Sequence, residues 1–256
     1  MQLRTALAER SLVGTFIGIG NPTVVEILGR SGFEFLCIDS EHAPFSPTEI
    51  QELLRASDSV GVPAIVRVSG LGPEIGRALD SGAAGVLVPR VETAEQARAV
   101  VDAVRYPPTG SRGAGPGRAA AYGADIMGYL ARADDEVAAI IQVETATGVE
   151  NVEEIAAVPG LDMIFVGPGD LSVSLGVAGG SEEHTAAIRR IAAAARAAGV
   201  PLGIFCLTAD AVARWAAEGA TLFLLTGDLA MLADTGARFA EDGQLAVGRA
   251  AEEVRS

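Results

Sequence analysis

Short apolar runs alternate with longer amphipathic segments along almost the whole chain. The apolar runs are rich in Val, Ile, Leu and Phe and are continuous, which is typical of parallel strands buried on both faces. They predict eight strands, at 13–19, 35–39, 64–68, 85–89, 139–144, 163–166, 202–206 and 222–226. The segments between them predict helices at 22–30, 46–57, 73–81, 94–104, 151–157, 182–198 and 209–218.

Helix-terminal signals support these boundaries. The stretches "SPTE" (46–49) and "TAEQ" (93–96) resemble capping boxes, and "SEEH" begins the long helix after residue 180. Glycine follows several predicted helices, as in "RSGFE" and "DSGAAG". After residue 226 the pattern predicts two further helices, at 229–240 and 244–254.

An eightfold alternation of strand and helix over this length predicts a (β/α)8 TIM barrel, formed as a single domain over residues 1–256. The additional C-terminal helices within 229–256 are expected to serve oligomerisation. The main alternative is a doubly wound open sheet, but its first turn usually has a glycine fingerprint, which "GIGNPT" (18–23) matches only weakly.

One connection is much longer than the others. About fifty residues separate the fourth and fifth predicted strands, including "YPPTGSRGAGPGRAAAYG" (106–123). This composition predicts a long ordered loop over one end of the barrel, anchored by Tyr106, Tyr122 and Tyr129. A disordered insertion is the alternative.

Composition excludes several classes of function. The formal net charge of −14 disfavours binding to nucleic acid or to an anionic membrane surface, and no apolar run reaches the length of a membrane span. All 19 basic residues are arginine, so a lysine Schiff base, a pyridoxal phosphate aldimine and a P-loop lysine are excluded. The N-terminus lacks the apolar core of a signal peptide, and both cysteines lie in apolar runs, which favours a cytoplasmic protein.

Polar residues collect at the carboxyl ends of the predicted strands, where barrel enzymes build their active sites. These residues are Asp39, His42, Arg67, Gln142, Glu144 and Asp170. Glu144 and Asp170 follow consecutive strands and would suit a hard divalent cation, Mg²⁺ or Mn²⁺. Two alternatives stay open: Glu144 could pair with Arg67, and Asp170 could cap a helix.

The other rim residues suggest what such a cation would act on. Arg67 presents a planar cation suited to a carboxylate or a developing oxyanion, unless it only balances charge. Histidine is the side-chain type suited to proton transfer near neutral pH, so His42 could act as a base, or it could form a structural hydrogen bond. Glu41 could support the site or face solvent, whereas His184 is predicted to face solvent without a role. A 2-oxo acid would chelate the cation, and an enolate stabilised by the metal would allow carbon–carbon bond cleavage.

Five separated blocks resemble the HpcH/HpaI family of class II, metal-dependent pyruvate aldolases. They are "FEFLCIDSEHAP", "VPAIVRV", "GVLVPRVETAEQARAVVDAVRYPPTGSRGAG", "IIQVETATGVENVEEIAAVPGLDMIFVGPGDLS" and "EGATLFLLTGD". The resemblance covers about residues 3–240. Aldolases for 4-hydroxy-2-oxoheptanedioate and for 2-keto-3-deoxy-sugar acids typify the family. It implies a barrel of the phosphoenolpyruvate/pyruvate type that assembles as a homo-hexamer with exchanged C-terminal helices.

The resemblance also implies roles for individual residues. Glu144 and Asp170 resemble the ligands of a divalent metal (Mg²⁺, Mn²⁺ or Co²⁺). Arg67 matches the arginine that holds the keto oxygen of pyruvate. His42 matches the base that acts on the aldol hydroxyl. Among the remaining matches, Asp39 lies beside that base, Gln142 and the Gly169–Asp170 backbone line the pyruvate site, and Asp80 matches an aspartate that pairs with the histidine.

Two features qualify these expectations. Asp80 closes a helix at the opposite end of the barrel, so it could reach His42 only in a neighbouring subunit. Ser40 and Gly169 stand where glycine and alanine are common, although both remain small.

The function expected is reversible cleavage of a 4-hydroxy-2-oxo acid to pyruvate and an aldehyde. The alternatives are a citrate-lyase β/malyl-CoA-lyase-like enzyme, with Arg112 and Arg118 as candidate cations for coenzyme A, a 2-oxo-acid decarboxylase and a non-catalytic ligand-binding barrel.

Overall fold

Eight parallel strands close into a barrel in which every strand pairs with its neighbours in chain order and β8 returns to β1. A computed structural model describes the backbone of residues 2–255 and the side chains of residues 2–249. The predicted domain 1–256 includes Met1 and Ser256, which lie outside the described residues. The strands are β1 Leu12–Ile17, β2 Phe35–Asp39, β3 Ala64–Arg67, β4 Gly85–Val88, β5 Ala138–Val143, β6 Met163–Val166, β7 Leu202–Cys206 and β8 Leu222–Gly227. The predicted TIM barrel is confirmed, and the open sheet is excluded.

Side-chain alternation along the strands separates two apolar cores. On β2, Phe35 and Cys37 belong to the cluster inside the barrel, whereas Leu36 and Ile38 pack outward against the surrounding helices. The helix α1 (Leu3–Glu9) precedes β1, and its apolar residues join the interior cluster. It therefore closes the amino-terminal end of the barrel and leaves the other end for a site. The sequence pattern did not predict α1.

The same alternation turns polar residues inward at the carboxyl ends of the strands. Asp39 lies two residues after Cys37, Arg67 two after Ile65, and Gln142 follows an inward-facing isoleucine by the same interval. Asp39 and Arg67 are direct register partners across β2 and β3. Strand geometry alone therefore places these polar side chains over the apolar interior.

The helices have the bounds α2 Pro22–Gly29, α3 Pro47–Ser59, α4 Glu74–Asp80, α5 Ala94–Val104, α6 Ile126–Glu136, α7 Ala146–Glu150, α8 Val152–Ala156, α9 Pro168–Leu175, α10 Glu182–Ala198, α11 Ala209–Ala217 and α12 Asp228–Arg255. The capping box at Ser46 is formed, with Glu49 as its reciprocal partner. At Thr93 the hydroxyl accepts the expected N–H, but the Gln96 side chain accepts from the backbone of Glu92 instead, so this second box is incomplete.

The C-terminal segment forms one continuous helix, α12, rather than the two predicted helices. The predicted interruption at 241–243 contains one glycine, which costs an exposed helix only about 1 kcal/mol relative to alanine, and no proline interrupts the segment. Several large apolar side chains of α12 are exposed, including Leu232, Phe239 and Val247. Their exposure gives the helix an uncovered apolar surface.

The long connection between β4 and β5 is ordered, so the disordered alternative is wrong. It contains a short 3₁₀ segment at Arg118–Gly123, interrupted by non-helical backbone at residues 120–122, and the unpredicted helix α6. Tyr106 and Tyr129 are buried and meet edge to face with ring centroids 6.3 Å apart. Tyr122 is not a buried anchor, because 62% of it is exposed, although its hydroxyl accepts a hydrogen bond from Arg55. The part of this connection that runs from α5 to β5 lies at the amino-terminal end of the barrel.

Across residues 2–255, none of the helices combines the length and the apolar composition needed to span a bilayer.

Candidate active site

A buried ion pair forms the floor of the site. Arg67 donates from Nε to Oδ1 of Asp39 at 3.0 Å and from Nη2 to Oδ2 at 2.7 Å, and its guanidinium carbon lies 4.4 Å from the centre of the Phe16 ring. Burial alone would lower the pKa of Arg67, but the hydrogen bonds and charge of Asp39 outweigh it and the pKa is raised. Below the pair, burial raises the pKa of the Cys37 thiol, which stays protonated and apolar in character. The guanidinium is therefore permanently charged and fixed in orientation.

Asp39 also organises the loop that follows β2. Its Oδ1 accepts from the backbone N–H groups of Glu41 at 3.1 Å and His42 at 3.3 Å. The Glu41 carboxylate turns toward the site, with Oε2 3.4 Å from Nη1 of Arg67 and 3.8 Å from Nε2 of His42. Burial raises the pKa of Glu41, with the charge of Arg67 opposing it. The structure thus decides what the sequence left open: Glu41 faces the site rather than solvent.

His42 lies at the rim, where its side chain is 59% exposed. Its only described ion-pair partner within residues 2–249 is Glu41. An exposed imidazole beside a carboxylate can take up and release protons from a molecule that enters from solvent.

Glu144 is a buried carboxylate without a cationic partner among the described residues. Only 2% of it is exposed; its Oε1 accepts from the Arg90 backbone N–H at 2.9 Å, and its Oε2 accepts from the Gln142 side-chain amide. Burial raises the pKa of Glu144, and the charges of Glu41 and Asp170 raise it further, against the hydrogen bond from Gln142. The alternative in which Glu144 pairs with Arg67 is wrong.

Asp170 reaches the site from the first turn of α9. The N-cap residue of that helix is Gly167, so the alternative in which Asp170 caps a helix is wrong. Gly167 is required by space, because a Cβ there would lie 2.5 Å from Oε2 of Glu144. A Cβ at Gly169 would meet nothing within 4 Å, which leaves that backbone open to solvent.

A cavity of about 690 Å³ opens above these residues. The predicted site residues that line it are Asp39, His42, Arg67, Gln142, Gly169 and Asp170. Phe16, Phe205 and Leu207 provide apolar walls. A pocket of this size, with a few converging polar groups among apolar ones, is typical of a small-molecule site.

The structure contradicts the prediction for His184. This residue is only 5% exposed and lines the same cavity, because the start of α10 packs beside the start of α9. Its ring is hydrogen-bonded on both sides, to Gly180 and to Pro168. The sequence predicted that His184 faces solvent because it lies on the first turn of a polar helix.

Asp80 lies far from this cavity within the chain. It ends α4 at the amino-terminal side of the barrel, where its Oδ1 accepts from Nη2 of Arg112 at 2.8 Å. Arg112 is itself buried, and Arg118 pairs with Asp58. The two arginines considered for coenzyme A are therefore both engaged with carboxylates away from the rim.

The donor set at the rim fits a hard divalent cation. Glu144 is buried without a cation, Oε2 of Glu41 is buried without a hydrogen bond, and Asp170 adds a third carboxylate nearby. Such oxygen-rich sites bind Mg²⁺ or Mn²⁺ through one or two carboxylates while water and substrate supply the other ligands. No cluster of three or more side chains placed to bind one metal ion occurs among the described residues.

Three contributors were not predicted from sequence: Phe16 beneath Arg67, the Arg90 backbone N–H and the small size of Gly167. Arg90 has a positive φ of 54°, a conformation that turns its N–H toward Glu144. The "GPG" sequence was a usable signal for close packing, whereas nothing in the sequence identified Phe16 or Arg90.

Fold and site together define a (β/α)8-barrel enzyme with an acidic, arginine-containing centre at the carboxyl ends of its strands. Residues 12–234 match the family model described as HpcH/HpaI aldolase/citrate lyase. The chain therefore belongs to the HpcH/HpaI aldolase/citrate lyase family and is a carbon–carbon lyase, as the sequence predicted.

Individual relatives agree with this assignment. The chain is 42% identical to 2-dehydro-3,6-dideoxy-6-sulfogluconate aldolase of Pseudomonas putida, over 86% of this chain and 88% of the relative. It is also 42% identical to a hydroxypyruvate/pyruvate aldolase of Cupriavidus necator, over 92% and 89%. The crystal structure of an HpcH/HpaI aldolase/citrate lyase family protein from Burkholderia cenocepacia superposes with a TM-score of 0.89 at 37% identity, covering 94% of this chain and 98% of the other.

Proposed function

We propose that the chain is a divalent-metal-dependent aldolase that reversibly cleaves a 4-hydroxy-2-oxo acid to pyruvate and an aldehyde. The observation that carries this proposal is the presence, in one site, of a guanidinium fixed by Asp39, that of Arg67, and of a separate buried carboxylate, Glu144, that has no cationic partner among the described residues. The names of the relatives, which include aldolases of pyruvate and of a dehydro-sugar acid, support the same reaction class.

Glu144 and Asp170 would hold the cation. When bound, it would supply Lewis-acid polarisation of the 2-oxo group. The raised pKa of Glu144 is consistent with this role, because a nearby positive charge would relieve the burial of its carboxylate.

The residues of the chain account for the remaining steps. Arg67 would bind the C2 oxygen and stabilise the negative charge that develops there. His42 would remove the proton of the C4 hydroxyl, directly or through water. As the C4–O bond becomes a carbonyl, the C3–C4 bond breaks and its electron pair forms the C2=C3 bond of the pyruvate enolate. Protonation at C3 then gives pyruvate, and the aldehyde leaves through the open rim.

The reaction can be tested by exchange of the methyl protons of pyruvate in deuterium oxide, followed by proton NMR. Protein treated with EDTA should not catalyse exchange, and added Mg²⁺, Mn²⁺ or Co²⁺ should restore it. Glu144→Ala should abolish exchange, whereas Glu153→Ala removes an exposed carboxylate and serves as the control. Absence of exchange with every divalent ion would reject the proposed metal-dependent enolate mechanism.

The base assignment has its own test. His42→Ala should lose cleavage of 4-hydroxy-2-oxo acids while still binding Mn²⁺ and still decarboxylating oxaloacetate. Decarboxylation generates the same enolate without deprotonating a hydroxyl, so it does not need this base. Cleavage that survives the substitution would show that another group acts as the base. A native enzyme that decarboxylates oxaloacetate but cleaves no member of a panel of 4-hydroxy-2-oxo acids would favour the decarboxylase alternative.

The partner expected for α12 is a second copy of the chain, and we propose that the exposed apolar residues of this helix bury themselves in a homo-hexamer. Light scattering coupled to size exclusion should give six chains for the native protein and fewer for Phe239→Asp.

A further inference from the structure

We infer that His184 is a positioning residue that fixes the first turn of α9 and thereby places Asp170 for cation binding. This inference rests on the proposed role of Asp170 as a metal ligand. It concerns a residue outside that ligand set, on a different helix.

The ring of His184 bridges two backbone segments. Its Nδ1 accepts from the Gly180 N–H at 3.0 Å, and its Nε2 lies 2.8 Å from the carbonyl oxygen of Pro168. Its own backbone N–H donates to the Ser181 hydroxyl at 3.2 Å. The side chain is therefore held at both ring nitrogens, in a place that is almost closed to solvent.

These contacts determine the tautomer of the ring. An amide N–H can only donate, so Nδ1 must be the unprotonated nitrogen. A carbonyl oxygen can only accept, so Nε2 must bear the proton. The tautomer of His184 with its proton on Nε2 is therefore the form that satisfies both partners.

The bridged carbonyl belongs to the segment that bears Asp170. Pro168 begins α9, and Asp170 is the third residue of that helix. Glycine precedes and follows Pro168, and the N-cap residue Gly167 provides no side-chain cap. Within α9 itself, the side-chain support of this turn is the Ser172 hydroxyl, which donates to the Gly169 carbonyl at 2.7 Å.

Asp170 itself adds no anchor. Its side chain is exposed, and within residues 2–249 no hydrogen bond or ion pair holds the carboxylate. Its distance from Glu144 is consequently set by the backbone of the turn, and His184 is the side chain from outside α9 that is bonded to that backbone. Loss of the bridge should let the turn move without unfolding the barrel.

The test compares three substitutions that separate the two ring contacts. His184→Gln keeps a donor near the Nε2 position, His184→Asn keeps an acceptor near the Nδ1 position, and His184→Ala keeps neither. Arg189→Ala is the matched control, because it removes two hydrogen bonds from the exposed side of the same helix. Calorimetric titration of the EDTA-treated full-length proteins with Mn²⁺ gives the dissociation constants.

We expect His184→Ala and His184→Asn to weaken Mn²⁺ binding by about tenfold, the lower end of the range for residues that support metal ligands. His184→Gln should bind within about threefold of the native protein, because it retains the Pro168 contact. At saturating Mn²⁺ the kcat for pyruvate exchange should return close to native in all three variants, while the Mn²⁺ concentration required for half-maximal rate rises in parallel with Kd.

Three results would overturn the inference: native-like Mn²⁺ affinity in His184→Ala, equal weakening by His184→Gln and His184→Ala, or equal weakening by Arg189→Ala. Circular dichroism melts identify any variant that fails to fold, and His184→Gln is then compared directly with the native protein. If the native protein binds no Mn²⁺ at all, the proposed function fails. If it binds Mn²⁺ and His184→Ala binds equally well, only the inference about His184 fails.

Discussion

Replacing Glu144 by glutamine should have opposite effects on function and on stability. The substitution preserves the shape of the side chain and removes its charge. Divalent cation binding should be lost, because a neutral amide is a weak ligand for Mg²⁺ or Mn²⁺. The metal-free protein should nevertheless become more stable, because the native fold buries this carboxylate without a cationic partner.

The size of the stabilisation follows from the contacts. An unpaired buried charge costs several kcal/mol, and the N–H donors of Arg90 and Gln142 each return about 1.5–3 kcal/mol. With a net penalty of about 1–2 kcal/mol after these two hydrogen bonds, the expected rise in Tm is about 2–8 °C for a chain of this size. Gln142 can accommodate the new amide, because its own Oε1 is buried without a partner and can become the acceptor when the side chain turns over.

The assay is a pair of thermal melts at neutral pH, one in EDTA and one in excess Mg²⁺. Glu144→Gln should melt above the native protein in EDTA and should show no further rise with Mg²⁺. Glu153→Gln, at an exposed ion pair, is the control and should respond to Mg²⁺ as the native protein does. A variant that melts below the native protein in EDTA, or that is still stabilised by Mg²⁺, would refute the reasoning from burial.

Two further predictions follow from the same cluster. The pKa values of Glu41 and Glu144 are raised, so the native metal-free protein binds more protons than the unfolded chain. The stability of the metal-free protein therefore falls as the pH rises above the ordinary pKa of glutamate, because these two buried groups must ionise. The increase in Tm on adding Mg²⁺ should therefore be smaller at about pH 5 than at about pH 7.5, and equal increases would contradict this. Gly167→Ala should weaken Mn²⁺ binding by about tenfold, because its Cβ would lie 2.5 Å from Oε2 of Glu144. Gly76→Ala is the control, since a Cβ there meets nothing within 4 Å, and unchanged binding in Gly167→Ala would show that the turn can move without cost to the site.

Much of the fold was predictable because it depends on local patterns. Continuous apolar runs separated by amphipathic segments predicted the barrel, and three strands have the predicted bounds: Phe35–Asp39, Met163–Val166 and Leu202–Cys206. The errors fell where local signals conflict or are weak. The interruption predicted at 241–243 is absent from α12, and α6 was not predicted after the Gly- and Pro-rich stretch that precedes it.

The candidate site was predictable only in part. The positions of Asp39, Arg67 and Gln142 in the site were predicted from the ends of their strands, because alternation along a strand decides which side chains face inward. Interactions between segments distant in sequence could not be read in this way. His184 lies on a polar helix start that resembles a solvent-facing one, and its burial depends on how α10 packs against α9.

The sequence by itself determined the class of fold, the family and the chemical types available at the rim, including the absence of lysine that excludes Schiff-base chemistry. The fold class and the available chemical types follow from periodicity and composition, which are local or additive, whereas the family follows from five sequence blocks that resemble it. Only the tertiary structure decided that Glu41 faces Arg67, that Glu144 is buried without a cation, and that Asp80 pairs with Arg112 at the other end of the barrel. Such pairings depend on the relative positions of separate strands and helices, and the energy of a charge depends on what surrounds it in space.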